Sequence, residues 1–319
     1  MTAIETHDLT KRFDGGVAAV DGLDLRVERG EVFGFLGPNG AGKSTTINVL
    51  LDLVRPTAGT ATVLGMDAQA ESEAIRERVG VLPEGFGLYD RLSGRRHLEL
   101  ATEWRDAGDD PDAVLDRVGL DAADANRPVG DYSKGMARRL ALGMALVGDP
   151  DLLILDEPAA GLDPHGVRRM RDIVREEAAD GTTVFFSSHV LGQVEAVCDR
   201  VGILRDGELA AVDTVEGLRR TVGAGAELHL RVAGDVDVAV TDVAGVESAA
   251  LADGVLRVEC ADARAKARVV ARLVDAGVDV LDVDSAEPSL EDVFAAYTTD
   301  DAGGDGEAAD PVAVEGVSA

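Results

Sequence analysis

The order of apolar and polar residues predicts a chain in which strands and helices alternate. Short apolar runs, typical of buried strands, occupy residues 31–36, 79–82, 152–156 and 183–188. Several of these runs end at glycine or at charged residues, and helical segments lie between them. The pattern therefore predicts an α/β fold, in which parallel strands deliver the residues that follow them to one edge of a sheet.

The N-terminal region has a different pattern. Residues 4–6 and 23–27 alternate between apolar and polar side chains, and glycine turn signals lie close to both segments. Alternation with period two predicts an antiparallel sheet, to which residues 60–64 would add a strand. Residues 88–148 instead carry apolar side chains at helical spacing, which predicts a helical insert.

The C-terminal third predicts a second, smaller domain. Residues 222–225 read as a linker that ends a first domain at about residue 220. Residues 226–297 then follow the order strand, helix or loop, strand, strand, helix and strand, which is the α+β, ferredoxin-like order. Residues 299–319 are rich in Asp, Gly and Ala, and we expect this acidic tail to be disordered.

One stretch predicts phosphate binding. Residues 37–44 read G-x-x-x-x-G-K-S between a predicted strand and a predicted helix. Glycines allow the backbone N–H groups to turn toward phosphate oxygens, and a helix N-terminus adds further donors. Lys43 is placed to reach the outer phosphates and the Ser44 hydroxyl to bind Mg²⁺. The predicted nucleotide-binding residues here are Gly37, Pro38, Asn39, Gly40, Ala41, Gly42, Lys43, Ser44 and Thr45.

Polar residues also follow two later strands. Asp156 and Glu157 end the apolar run 152–156, and His189 follows the run 183–188. Parallel strands bring such residues to the edge where α/β folds place their chemistry. Each has a structural alternative: Glu157 could favour a helix start before a proline, and His189 could be a core histidine. We expect the remaining histidines at the surface, namely His7, His97, His165 and His229.

Composition narrows the class of protein. The 319 residues include 60 acids and 31 bases, a net charge of −29, which argues against a nucleic-acid-binding protein. The same acidity predicts adaptation to molar salt, with folding lost in dilute buffer. Apolar runs are too short to cross a bilayer and no leader is evident, so a cytosolic chain is expected. Cys198 and Cys260 are expected to be reduced and inert.

Together these motifs make residues 1 to about 220 resemble the nucleotide-binding subunit of an ATP-binding cassette (ABC) transporter. Residues 37–44 match its Walker A loop and 152–156 its Walker B strand. Residues 131–136 resemble its signature motif, 160–164 its D-loop, and His189 its switch histidine. The resemblance implies a P-loop NTPase core (RecA-like), an antiparallel β subdomain and a helical insert.

The resemblance also implies a mechanism. Two copies enclose two ATP molecules, and Ser133 and Gly135 of one copy close on the phosphates held by Lys43 of the other. Ser44 and Asp156 bind Mg²⁺, Glu157 polarises the attacking water, and His189 contacts the γ-phosphate. Asp163 belongs to the D-loop at the nucleotide. Phe13 is expected to stack on adenine, its alternative being a place in the core.

Two positions depart from the family pattern. Lys134 replaces the usual glycine of the signature motif, and we expect activity to survive. Glu84 replaces the usual glutamine of the Q-loop; it either binds Mg²⁺ or is a solvated loop acid.

The chain is most similar in pattern to ATPase subunits of two-component exporters. Such a subunit would lie at the cytoplasmic face of the membrane and bind a permease near residues 84–105. The alternative is a soluble ABC ATPase that acts on ribosomes or nucleic acid. Residues 288–294 also match these exporters; otherwise they form an amphipathic helix that packs on the preceding sheet.

Overall fold

The computed structural model describes residues 1–221, 226–233, 240–252, 254–261, 263–286 and 290–298. The predicted linker at 222–225 and the predicted tail at 299–319 lie outside the described residues.

Ten strands of the first 221 residues form two sheets. They are β1 (Thr2–Arg12), β2 (Ala18–Glu28), β3 (Val32–Leu36), β4 (Ala58–Val63), β5 (Met66–Asp67), β6 (Val79–Leu82), β7 (Leu152–Asp156), β8 (Thr183–Ser188), β9 (Arg200–Arg205) and β10 (Glu208–Asp213). One sheet is antiparallel with the order β2-β1-β4-β5, as the alternation predicts. The other has the order β10-β9-β3-β8-β7-β6, parallel except for β10.

Helices connect these strands and build the insert. They are α1 (Lys43–Leu50), α2 (Ser72–Arg78), α3 (Gly94–Arg105), α4 (Pro111–Arg117), α5 (Ala122–Ala125), α6 (Lys134–Leu146), α7 (Pro164–Ala179), α8 (Leu191–Val194) and α9 (Val215–Thr221). Helices α3 to α6 form the predicted insert. Polar side chains satisfy the otherwise unpaired N–H groups at several helix starts, as Ser93 does for α3 and Asp121 for α5.

The two sheets face each other across an apolar core. Phe33 of β3 and Phe185 of β8 are fully buried and stack with ring centroids 5.9 Å apart. Burial of such a side chain contributes about 1.5–3 kcal/mol. A second cluster on the opposite face of the parallel sheet joins it to the helices, with Leu98 and Leu140 fully buried. This packing holds the parallel sheet rigidly between two layers.

The strand order explains where the chemistry lies. Strand β8 lies between β3 and β7, and β6 lies on the other side of β7. All four strands are parallel, so their carboxyl ends meet at one edge of the sheet. The segments that follow them are the phosphate loop, His189, Glu157 and Glu84. Residues far apart in sequence thus come together.

The C-terminal unit has the predicted strand order. Its elements are β11 (Ala226–Ala233), β12 (Val246–Ala252), β13 (Val255–Cys260), α10 (Ala263–Asp275) and β14 (Asp279–Ala286). They form an antiparallel sheet of order β12-β13-β11-β14 with its own apolar cluster, which includes Leu230, Val258 and Val269. Between β11 and β12 the described residues include a short 3-10 turn, Val240–Asp242.

The last helix, α11 (Leu290–Thr298), does not pack on this small sheet. Leu290 and Val293 are fully buried in the cluster beside the parallel sheet, and the helix contacts α8, α9 and β9. Phe294 and Tyr297 pack on the same cluster and lie on the same helical face. The alternative that α11 packs on the preceding sheet is therefore wrong.

His97 corrects a second expectation. Its side chain is only 2% exposed, so its predicted surface position is wrong. Its Nε2 accepts a hydrogen bond from the Tyr89 N–H at 2.9 Å, and its Nδ1 lies 2.8 Å from the Ser93 carbonyl. The buried ring thus fixes the loop before α3, a role that spacing alone does not reveal.

Candidate functional site

One cavity of about 320 Å³ lies at the carboxyl edge of the parallel sheet. Every residue that lines it was predicted from the sequence: Asn39, Gly40, Gly42, Lys43, Ser44, Thr45, Glu84, Asp156, Glu157 and His189. Four separate segments of the chain contribute to this lining. The structure therefore brings the predicted phosphate loop, carboxylates and histidine into one place.

The phosphate loop depends on glycine at Gly42. This residue has φ 108°, and a Cβ atom added to it would lie 2.1 Å from the Ala19 carbonyl oxygen. Any side chain there would collide with the backbone of the antiparallel sheet. Gly42 precedes α1, so the loop delivers the first N–H groups of that helix to the cavity, where they suit an anion.

Lys43 is the buried cation of the cavity, with 6% of its surface exposed. Its Nζ donates to the carbonyl oxygens of Gly37 at 2.7 Å and Pro38 at 3.1 Å, so the side chain folds back along its own loop. Burial lowers the pKa of Lys43, and the nearby carboxylates of Glu157, Asp156 and Glu84 oppose that change. The amine thus lies beside the space that phosphates would occupy.

Asp156 is fixed by the neighbouring strand. It pairs with Ser187 in the register of β7 and β8, and the Ser187 hydroxyl donates to Asp156 Oδ1. Both residues are buried. Ser187 thus orients one carboxylate oxygen of Asp156.

Glu157 has a strained backbone and a histidine partner. Its φ is 50°, a left-handed conformation that costs a non-glycine residue about 1–3 kcal/mol. Its N–H donates to both the carbonyl and the hydroxyl oxygen of Ser187 at 3.2 Å. Its Oε1 lies 2.8 Å from Nδ1 of His189, whose side chain is half exposed. Strain at this position is therefore held by specific hydrogen bonds, as is typical of functional sites.

The donor set suits magnesium. The Ser44 hydroxyl and the Asp156 and Glu84 carboxylates line the same cavity. Hard oxygen donors of this kind, together with phosphate oxygens, are the ligands that Mg²⁺ takes in nucleotide sites. The residues present therefore fit the metal that the sequence implies.

Gly37, Pro38 and Ala41 belong to the phosphate loop but do not line this cavity, and neither do Ser133, Gly135 and Asp163. The Ser133 hydroxyl accepts from the Met136 N–H at 3.2 Å and caps α6. Asp163 caps α7, with Oδ1 2.6 Å from the Gly166 N–H. A Cβ atom added to Gly135 would lie 3.1 Å from the Gly161 carbonyl oxygen, so the signature segment and the D-loop are neighbours.

Phe13 is not a core residue. Its side chain is 45% exposed, which excludes the core alternative, and Lys11 Nζ lies 5.0 Å from the centroid of its ring. It does not line the cavity described above. Its ring is accessible to a base, and its role in stacking stays a prediction.

Sequence reasoning missed two residues that organise the site. Ser187 holds both Asp156 and Glu157, and its only sequence signal is a polar residue at the end of an apolar strand. Arg138 is buried in α6 and donates to the backbone carbonyl oxygens of Glu84 and Glu157. Its neighbour Arg139 has the same residue type, so the sequence offers no sign of which arginine turns inward.

Comparison with known proteins identifies the family. The ABC transporter family model matches residues 20–160, and a model described as "ATP-binding protein DrrA1-3-like, C-terminal domain" matches residues 214–298. The daunorubicin resistance ATP-binding protein DrrA3 of Streptomyces coeruleorubidus is 39% identical across 94% of this chain and 97% of its own length. This chain belongs to the ABC transporter family. Within that family it is an ATP-binding, ATP-hydrolysing subunit.

Further relatives agree with this assignment. The bacitracin transport ATP-binding protein BcrA of Bacillus licheniformis is 35% identical across 92% of this chain and 96% of its own length. A solved ATP-binding subunit of an ABC transporter is 29% identical with a TM-score of 0.64, covering 70% of this chain and 94% of that one. A dimeric cassette bound to ADP and phosphate, 24% identical, shares the fold with a TM-score of 0.62, across 66% and 98% of the two chains.

Among the residues that the structure describes, no helix combines the length and the apolar character that a membrane crossing requires.

Proposed function

We propose that this ABC subunit hydrolyses Mg-ATP with Glu157 as the general base and thereby drives export through a separate membrane permease. The observation that carries the proposal is the convergence of Lys43, Asp156, Glu157 and His189 in one cavity. Phosphoryl transfer to water requires a cation that binds phosphate, a carboxylate held in position and a group that activates the water. Lys43 is the cation and Asp156 the positioned carboxylate. The pair of Glu157 and His189 would activate the water.

The phosphate loop binds the triphosphate. Its N–H groups and Lys43 face the cavity, and the helix start at α1 adds its dipole to the attraction for an anion. The Ser44 hydroxyl and the Asp156 carboxylate would hold Mg²⁺, with Glu84 as a further oxygen donor. When bound, this ion neutralises charge on the phosphate oxygens.

Glu157 accepts the proton of the attacking water. Its side chain is almost fully buried, and its Oε1 contacts His189 at 2.8 Å. His189 keeps this carboxylate directed into the cavity, and its half-exposed ring reaches toward the position of the γ-phosphate. General-base catalysis of this kind contributes about 10²–10⁴-fold to a rate.

A second copy completes the site. Ser133 and Gly135 lie at the exposed start of α6, outside the cavity of their own chain. In a head-to-tail homodimer they would close on the phosphates bound by the partner, with Asp163 at the same junction. Helix α6 is 13 residues long, and Ser133 caps its exposed N-terminus. Such a helix N-terminus is suited to bind a phosphate group.

The permease binds beside the helical insert. An apolar groove there is lined by Val79, Val81, Ala101, Trp104, Met144 and Ala145, together with Arg76 and Arg105. The Trp104 side chain is 69% exposed. Aromatic side chains are enriched at protein–protein interfaces, so an exposed tryptophan in this groove favours a site for a partner. Arg76 and Arg105 add positive charge to the groove, which suits a carbonyl or carboxylate of the permease.

The direction of transport is proposed from the relatives. Their names refer to daunorubicin resistance, bacitracin transport and fluoroquinolone export. By analogy this subunit would act at the cytoplasmic face of the membrane in the export of small molecules.

The test uses the Glu157→Gln variant, because loss of the base should leave an ATP-bound dimer that hydrolyses little. The tagged variant is purified from host membranes in molar KCl with Mg-ATP, and its companions are identified by mass spectrometry. We expect a multi-span membrane protein in near-equal amount. The additional change Trp104→Ala should remove that protein while ATP binding persists.

Ribosomal or DNA-bound material without a membrane partner would overturn the transport proposal. Unchanged turnover in Glu157→Gln would remove Glu157 from the role of base. The control change Leu281→Ala, at an exposed residue of β14 that lies outside residues 84–105 and does not line the groove, shows whether loss of the permease is specific to Trp104.

A further inference from the structure

Arg138 is a buried cation without a carboxylate partner. It lies in the second turn of α6 and is only 3% exposed. Across the described part of the chain, the ion pairs between arginines and acids do not include it. Arginine is seldom buried so deeply unless its donors are satisfied, so its hydrogen bonds identify its role.

All its donors go to backbone carbonyl groups of two loops. Nη1 donates to Pro83 at 2.9 Å and Glu84 at 3.1 Å. Nη2 donates to Glu157 at 2.7 Å and to Asp156, and Nε donates to Pro158 at 3.4 Å. One guanidinium thus joins the segment after β6 to the segment after β7.

The shape of this side chain is essential to that connection. A guanidinium is a planar fork with five donors in fixed directions, whereas a lysine amine is a compact point charge. The Phe86 ring lies 5.2 Å from Cζ of Arg138 and covers the group. Burial lowers the pKa of Arg138, and the carboxylates of Asp156, Glu157 and Glu84 oppose that change.

The connection acts on a strained residue. The N–H of Glu157 is held by Ser187 and its carbonyl by Arg138, on either side of a left-handed φ of 50°. Three side chains that line the nucleotide cavity, Glu84, Asp156 and Glu157, therefore have their backbone positions set by one arginine.

We infer that Arg138 is a positioning residue for ATP hydrolysis: it ties α6 to the loops that carry Glu84, Asp156 and Glu157 and holds Glu157 in its catalytic conformation. The inference rests on the role proposed above for Glu157. Because α6 begins at Ser133, the same side chain also links the exposed start of this helix to the catalytic carboxylates.

The test compares Arg138→Lys and Arg138→Gln with wild-type protein. We expect kcat to fall by about 10- to 100-fold, since a displacement near 1 Å at a reacting group costs this much. The Kd for ATP, measured with a fluorescent analogue, should change less than about threefold, because Lys43 and its loop are untouched. Arg139→Lys is the matched control: Arg139 is the next residue of α6, donates to Gly119 in the insert, and should leave kcat unchanged.

A double-mutant cycle separates positioning from general loss of structure. If Arg138 acts through Glu157, Arg138→Lys combined with Glu157→Gln should be no slower than Glu157→Gln alone. Additive losses, a parallel loss of ATP affinity, or wild-type kcat in either folded Arg138 variant would overturn the inference. Retained hydrolysis in Glu157→Gln alone would instead contradict the proposed base, so the two failures are distinguishable.

Discussion

The residues predicted to bind nucleotide form two groups, one around the cavity and one at the starts of α6 and α7. A single chain completes the first group but not the second. Around the cavity, Lys43, Asp156 and Glu157 are buried. The Lys43 amine is held by its own loop, and Asp156 and Glu157 are held by Ser187 of the neighbouring strand. At the starts of α6 and α7, Ser133 is exposed, and it and Asp163 make only local capping hydrogen bonds. The first group is prepared for chemistry within one copy, whereas the second presents its donors outward.

The difference has a physical cause. Four parallel strands buried between two apolar layers converge at one edge, so the fold alone can hold charged groups against each other there. Helices α6 and α7 instead begin next to Ser133 and Asp163, neither of which lines that cavity, and Ser133 is exposed. We infer that the second group gains its function only when another copy approaches.

The largest expected effect concerns salt. The chain has a net charge of −29, and the range of repulsion between charges is about 3 Å in molar salt but about 30 Å at 0.01 M. We expect the chain to unfold when dialysed from molar KCl into dilute buffer, which would destroy both groups of residues. Circular dichroism across a KCl series measures this loss, with an inert osmolyte as control. Full stability of the folded chain in dilute buffer would contradict the proposed adaptation to molar salt.

A substitution at Ser133 should disturb the second group of residues and leave the first group intact. Ser133→Asp keeps a good N-cap but adds a negative charge where a partner's phosphate would lie. We expect hydrolysis to fall by about 10- to 100-fold, with little change in ATP binding to the monomer. Ser93→Asp is the matched control, because Ser93 caps α3 in the same way away from the cavity.

Mixing variants decides whether the site is shared. A Lys43→Ala chain and a Ser133→Asp chain are each expected to be nearly inactive as homodimers. In a mixed dimer, one of the two composite sites keeps both Lys43 and Ser133, so mixing should restore part of the activity. Mixtures that stay as inactive as the separate variants would show that both residues act within one chain.

The sequence predicted the ends of the strands better than their arrangement. Asp156, Glu157 and His189 could be placed at a sheet edge because each follows an apolar run. That β8 lies between β3 and β7, which brings His189 within 2.8 Å of Glu157, is a long-range pairing that no local pattern records. The hydrogen bond by which Ser133 caps α6 is, by contrast, local.

Other features were beyond the sequence because they depend on packing. Arg138 is buried by satisfying backbone groups of distant loops, and His97 by satisfying those of the loop just before its own helix, although polar residues of these types are usually exposed. The apolar face of α11 could be predicted, but not which of two cores it would join. For Arg138 and α11 the deciding interaction joins segments far apart in the chain.

The smallest expected effect concerns Phe13, which belongs to neither group. Its exposed ring is proposed to stack on adenine, and aromatic stacking contributes about 1 kcal/mol. Phe13→Ala should therefore weaken ATP binding about fivefold with kcat unchanged, while Phe13→Trp should bind at least as well. Val17→Ala is the control, because the Val17 side chain is exposed in the same turn and its backbone carbonyl accepts a hydrogen bond from the Phe13 N–H, which the substitution leaves in place. Titration with a fluorescent ATP analogue measures each Kd. Equal affinity in wild type and Phe13→Ala would show that the ring contacts Lys11 alone and that adenine is bound elsewhere.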